Sequence, residues 1–419
     1  MKNRELSSKL FLSYPASSLL VLSLGATILL ATGAVNLNAF EFLKFTAFTA
    51  VCGMAALGTS FSIEHQTTKN LTEKSFTGNI KLVDLLRSPL KKAIIVCTLA
   101  FIVVWALETF NRSDIYANLY FPLGIYLLLT FVFSALRGWA AALQAPIYLA
   151  NANVLAGIGA LVFPLFLLLF RDSLAAYIWG FAISFSGSIC YLILRLYMNN
   201  LKPEFAQLDK VTSAPIDSKL TWSYQGLTVA YLGSTLIISS VHSPQQELEA
   251  AQAQLYLAGA KALPQILLGL ISLGVAYLAT TKNRSYKSVF TNWFVATSVT
   301  SLLFTMLTFL FMPIVILALT NNQVILESNV IASILLAMML LSIALIFLPK
   351  LIVDANYHYI GVIWWSSGAV IAFGFTPFFP KNLLSGIYLV LISSISSVLL
   401  SFFFALRKSY QVRVAKDVL

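Results

Sequence analysis

Apolar residues in this chain come in runs of about twenty, separated by shorter stretches that carry most of the Lys and Arg. A helix needs about 20 such residues to cross a hydrocarbon core of about 30 Å. Runs of that length lie at 10–33, 39–62, 91–109, 115–136, 147–170, 173–197, 221–241, 252–279, 289–317, 327–349, 358–379 and 383–406. They predict an all-α polytopic membrane protein with about twelve transmembrane helices, the ninth long enough to tilt or bend. The polar stretch NNLKPEFAQLDKVTSAPIDSK stands between the sixth and seventh runs. It divides the chain into an N-terminal six-helix bundle (1–198), a cytoplasmic linker (199–219) and a C-terminal six-helix bundle (220–419). The 63–90 segment is the other long polar stretch, with room for a short amphipathic helix. Long runs rather than short alternating segments argue against a membrane barrel.

The distribution of charge orients these spans. Positive residues collect on the cytoplasmic side of membrane proteins. With both termini inside, 22 of the 27 Lys and Arg fall in segments that alternate to that side. Lys44, Arg112, Arg171, Lys261 and Lys381 remain for the other side or for the spans. The same bias explains the net charge of +11 without any role for nucleic acid. Only 10% of the residues are charged, against roughly 25% in a soluble domain. A basic N-terminus, MKNRELSSKL, runs straight into the first span with no A-x-A-like site after it. We therefore expect a retained helix rather than a signal peptide. Cys52, Cys97 and Cys190 all lie within apolar runs, and His65, His242 and His358 are scattered. No disulfide framework, metal site or cofactor is expected from them.

The two halves echo each other. SKLFLSY (Ser8 to Tyr14) returns as SKLTWSY (Ser218 to Tyr224), an offset of 210. LGAT (Leu24 to Thr27) returns as LGST (Leu232 to Thr235) at 208, and TTKN (Thr67 to Asn70) returns at Thr280 to Asn283, at 213. Three ordered matches near one offset point to an internal repeat. Six spans per half bring both copies into the membrane from the same side. The bundles are then related by an axis along the membrane normal, with substrate held between them.

Ionisable side chains inside the bilayer cost about 2.5–3.5 kcal/mol each, so they mark candidate functional positions. Lys261 lies well inside the eighth run, where no carboxylate stands within a helical turn. Gln254, Lys261 and Gln265 fall on one helical face, a polar stripe suited to a cavity wall. Pro264 beside them is placed to kink the helix. The alternative is a lysine paired structurally with another helix. Lys44 lies nearer the end of the corresponding span in the first half, and Glu41 one turn before it offers an interfacial ion pair instead. Two cations beside one cavity suit a diphosphate, since ammonium groups bind phosphate as point charges. None of the sixteen acidic residues lies in the middle of a run, which counts against a cation-coupled drug antiporter. Arg137 and Arg195 stand at cytoplasmic span ends. There they either make first contact with an anionic head group or simply fix topology.

Major facilitator proteins share the six-plus-six layout, but the loop after the second span, EHQTTKNLTEKSFTGNIKLVDLLRSPLKK, lacks their G-x-x-x-D-[RK]-x-G-[RK]-[RK] signature. In the SSKLFLSYP lead-in, in GMAALGTSFSIEHQTTKN closing the second span and in SALRGWAAALQAPIYLANANVLAGIGALV, the chain instead resembles polysaccharide flippases. These belong to the multidrug/oligosaccharidyl-lipid/polysaccharide exporter superfamily. The resemblance implies a MATE-like fold and a multi-pass protein of the bacterial cytoplasmic (inner) membrane. It implies outward movement of a polyprenyl-diphosphate-linked oligosaccharide, such as an O-antigen or capsule repeat unit. A polysaccharide polymerase and other assembly proteins would be its partners. A small-molecule or drug exporter of the same superfamily stays open as an alternative. A polytopic glycosyltransferase or polymerase is a further one, disfavoured because the longest external segment, SSVHSPQQELEAAQ, is too short to hold an active site.

Overall fold

In lipid a spanning segment must bond its own backbone N–H and C=O groups, so long apolar runs fold as helices. The computed structural model describes residues 25, 28–73, 82–111, 119–142, 145–200, 218–261, 264, 267, 286–320, 326–353, 357–376 and 378–417. Within them every regular element is helical. The helices are α1 (28–36), α2 (Ala39–Glu73), α3 (Leu82–Asn111), α4 (Tyr120–Ala142), α5 (Pro146–Leu167), α6 (Ser173–Ala182) and α7 (Ser186–Asn200). They continue with α8 (Ser218–Ser240), α9 (247–261), α10 (Tyr286–Thr320), α11 (Ser328–Ile346), α12 (Leu348–Val353), α13 (Tyr357–Phe373) and α14 (Leu383–Asp417). Eight stretches among the described residues are long and apolar enough to span a membrane, and 358–373 is a shorter apolar helix. This is an all-α, multi-pass membrane protein.

Several boundaries differ from the apolar runs, each for a local reason. The 63–90 segment is not mainly loop: α2 continues through Glu73 and α3 begins at Leu82, since polar residues extend a helix once it has left the lipid. The sixth run breaks at residues 183–185 into α6 and α7. Gly159 lets α5 approach that break so closely that a Cβ there would lie 2.4 Å from the Ser184 carbonyl oxygen. The tenth run breaks at Phe347 into α11 and α12. The ninth is one 35-residue helix, α10, with Pro313 inside it.

The chain forms two compact units, residues 1–37 with 47–225 and residues 38–46 with 226–419. In the first, α4 packs against α3, α6 and α7, and α5 against α6 and α7. Its core is aromatic. Tyr126 stacks on Phe181 at 5.0 Å, Phe133 on Phe185 at 4.9 Å, and Phe48 meets Phe181 edge-on at 6.1 Å. In the second unit, α14 packs against α11 and α13, and α10 against α11. A buried serine row ties α13 to α14: Ser367 Oγ and Ser397 Oγ are 2.6 Å apart, and Ser393 Oγ donates to the Ser367 carbonyl at 3.0 Å. Such hydroxyl pairs between spanning helices are worth about 0.6 kcal/mol on average.

Two helix starts repeat one device. Asn38 N–H donates to Glu41 Oε2 (3.2 Å) while Glu41 N–H donates to Asn38 Oδ1 (2.9 Å), a capping box opening α2. Ser243 and Gln246 form the same box ahead of α9, through the 3₁₀ turn Pro244–Gln246. The two caps stand 205 residues apart, near the offsets of the repeated tetrapeptides.

Candidate functional site

Three helical segments of the second unit converge on a buried polar chain. On α8, Tyr231, Thr235 and Ser239 recur every four residues and so share one face. On α9, Gln254 and Lys261 are seven residues apart, again on one face. Thr46 comes from the second turn of α2.

The bonds run in sequence. Thr46 Oγ1 and Ser239 Oγ are 2.9 Å apart, with either able to donate. Gln254 Nε2 donates to Ser239 Oγ at 2.7 Å and to the Thr235 carbonyl at 2.6 Å. Lys261 Nζ donates to Thr235 Oγ1. The ammonium also lies 4.9 Å from the centroid of the Tyr231 ring, and Tyr231 Oη donates to the Lys261 carbonyl at 3.3 Å.

Lys261 is only 7% exposed and Gln254 3%. Among the described residues, Lys261 has no carboxylate partner. Its charge is met by one hydroxyl and one aromatic face, which leaves donor capacity on an ammonium with three N–H groups. A buried cation held this way costs free energy unless an anion joins it. The chemistry the arrangement offers is capture of a negative group away from bulk water.

The other predicted positions are placed as follows. Gln265 lies outside the described residues. Pro264 is helical, with neighbours on both sides outside them. Lys44 is half-buried on α2, two residues before Thr46 and within the second unit. Glu41 spends one carboxylate oxygen on the α2 cap. Arg137 and Arg195 belong to the first unit. Arg137 Nη2 pairs with Glu64 Oε1 at 3.3 Å and lies 5.6 Å from the Phe133 ring. Arg195 lies between the rings of Tyr148 and Tyr191. The structure thus joins Lys261 to Gln254 through Thr235, and Gln254 to Thr46 through Ser239, while both arginines belong to the first unit. Sequence reasoning missed Tyr231, Thr235, Ser239 and Thr46. A search for polar residues four apart within the seventh run would have found three of them.

No protein-family model matches the chain, and no curated protein matches it either. Solved structures do. An inward-facing multidrug resistance MATE family transporter of the MOP superfamily aligns with TM-score 0.64 at 12% identity, over 96% of this chain and 95% of that one. The chain has the MATE transporter fold. A second neighbour with this fold is a MOP superfamily transporter from Pyrococcus furiosus Vc1, whose reversed binding-pocket polarity is described as suggesting a different function. It aligns with TM-score 0.59 at 10% identity, over 95% of each chain. A third is the MATE multidrug transporter DinF-BH, with TM-score 0.57, 11% identity and 95% of each chain covered. At these identities the MATE likeness is one of fold, and the cargo must be argued from this chain's own side chains.

Proposed function

We propose that this MATE-fold protein is an exporter, and that its cargo is a lipid-linked oligosaccharide carried on a diphosphate. The observation that carries the reading is Lys261. It is a cation buried on α9 without a carboxylate among the described residues, bonded to Thr235 and facing Tyr231. A buried cation held in this way favours an anionic head group and repels a cationic drug. Among the described residues the candidate spans hold one acid, Glu41, and it serves the α2 cap at the end of its span. Gln254 and Ser239 extend the polar wall away from Lys261, which suits sugar hydroxyls next to the diphosphate. The sequence resemblance to polysaccharide flippases points the same way. On this reading 1–198 and 220–419 are duplicated bundles, the termini are cytoplasmic, and Lys261 is presented to the two sides of the inner membrane in turn.

A second reading has its own support. The neighbours include multidrug transporters, and a small-molecule exporter would share the fold. The Pyrococcus furiosus neighbour, with its reversed pocket polarity, illustrates that this fold takes pockets of either sign.

Complementation separates the two. In a strain lacking its own repeat-unit flippase, wild type should restore surface glycan, and Lys261→Ala should insert normally but display at least tenfold less. Lys261→Arg should keep part of the display. Wild-type display from every variant would remove the diphosphate reading. Resistance to cationic dyes without any glycan display would favour the drug exporter.

A further inference from the structure

The first unit holds a cation on different terms. Arg195 lies near the end of α7, one turn after Tyr191, and Tyr148 stands in the first turn of α5. Arg195 Cζ is 5.2 Å from the Tyr148 ring centroid and 5.3 Å from that of Tyr191. Both distances are within cation–π range. Each ring is fixed in turn. Asn151 Nδ2 donates to Tyr191 Oη at 3.1 Å, and the Trp139 ring stacks on Tyr148 at 6.5 Å with 16° between planes.

Ring contacts consume none of the five N–H donors of a guanidinium. Among the described residues no carboxylate or carbonyl accepts from Arg195. Arg137 is a useful contrast, because its charge is met by Glu64. Arg195 is half-buried, and Ile147, Leu194, Tyr197 and Met198 around it on α5 and α7 are exposed and largely apolar. A pinned guanidinium with open donors, bordered by apolar surface at the end of spanning helices, matches a phosphate attached to a hydrocarbon tail. The planar fork gives the bidentate geometry that phosphate oxygens favour.

We propose that Arg195, clamped by Tyr148 and Tyr191, binds the phosphate of an anionic lipid at this end of the first unit. The proposal does not rest on the reading of Lys261, and its readout is lipid binding rather than export. Two lipids carry the required chemistry, a bulk phospholipid and a polyprenyl diphosphate, and the test distinguishes them.

The full-length protein would be placed in phosphatidylcholine nanodiscs and titrated separately with phosphatidylglycerol and with polyprenyl diphosphate, counting retained lipid by native mass spectrometry. We expect Arg195→Ala to weaken binding about tenfold, the usual scale for losing a charged hydrogen-bonding partner. Arg195→Lys should fall between, because it keeps the charge and loses the fork. Tyr191→Phe, which keeps the ring but removes the Asn151 acceptor, should weaken binding less. Loss confined to phosphatidylglycerol assigns the site to bulk lipid, and loss confined to polyprenyl diphosphate assigns it to cargo. Loss of both makes it a general lipid-phosphate site. Melting temperatures in phosphatidylcholine alone control for folding, and if Arg195→Ala fails to insert, Arg195→Lys carries the comparison. Equal retention of both probes by wild type and the folded Arg195 variants would overturn the proposal.

Discussion

The two units pack their helices by different means. In the first, most glycines in close contact meet backbone, with Gly124 against the Phe101 ring the exception. A Cβ at Gly180 would lie 2.4 Å from Pro164 N, and one at Gly58 would lie 2.7 Å from Gln225 Cα. In the second, glycines meet side-chain atoms, with Gly259 against Met312 Sδ (2.8 Å) and Gly233 against Ile371 Cγ2 (2.6 Å). Cations follow the same division. The first unit gives Arg137 a carboxylate and Arg195 two rings, while the second holds Lys261 on a hydroxyl and one ring. Helices in backbone contact have no room to rearrange, whereas side chains meeting through flexible ends can repack around a ligand. The difference suggests a rigid first unit and an adaptable second one, with Lys261, the cation proposed to meet cargo, in the adaptable half.

Paired glycine substitutions test that contrast most sharply. Gly180→Ala should cost about 1–3 kcal/mol, because neither Pro164 nor the α6 backbone can yield. Gly259→Ala should be near neutral: the flexible Met312 can move, and alanine in a helix interior regains about 0.5–1 kcal/mol. Unfolding in detergent measures both, and equal losses would end the distinction. Next in size is Glu64→Gln, which leaves Arg137 without its carboxylate. The side chains are 20% and 22% exposed, so we expect about 1–2 kcal/mol, between the values for exposed and buried pairs. The corresponding neutralisation in the second unit, Lys261→Met, should not lower stability at all, since it removes a buried charge that no acid among the described residues balances.

Smaller effects test the repeat. Asn38→Ala and Ser243→Ala should each cost about 1 kcal/mol, and similar losses at the two caps would support duplicated helix starts. The smallest effect is one of pH. Burial pushes the His242 pKa below its ordinary value, only partly offset by a hydrogen bond to the Ile238 backbone. The folded state therefore resists protonation that the unfolded chain accepts. Stability is full above the ordinary histidine pKa of about 6.5 and declines as pH falls below it. His242→Gln should flatten the melting-temperature profile between about pH 8 and about pH 5.5.

Much of this was legible in the sequence, and the exceptions have physical causes. Helix content and the membrane setting followed from run length alone, because the bilayer imposes both. Lys261 and Gln254 could be placed on one face because helical period fixes that without knowledge of neighbours. Their partners could not. Thr46 is 193 residues from Ser239, and Glu64 is 73 from Arg137, so pairing depends on which helices pack. Tyr191 and Arg195 are one turn apart and readable as a pair, but Tyr148 comes from another helix. Helix breaks at 183–185 and at Phe347 were hidden because hydropathy does not change across them. The 63–90 segment misled for the opposite reason: polarity marked the end of the apolar run but not of α2.

The central claim is that Lys261 meets an anionic cargo. The most direct test reconstitutes wild type and Lys261→Met in liposomes carrying a fluorescent polyprenyl-diphosphate saccharide, and follows its arrival at the opposite leaflet by chemical quenching. The account predicts rapid transfer by wild type, at least tenfold slower transfer by Lys261→Met, and partial recovery in Lys261→Arg. Equal transfer by all three proteins would contradict it.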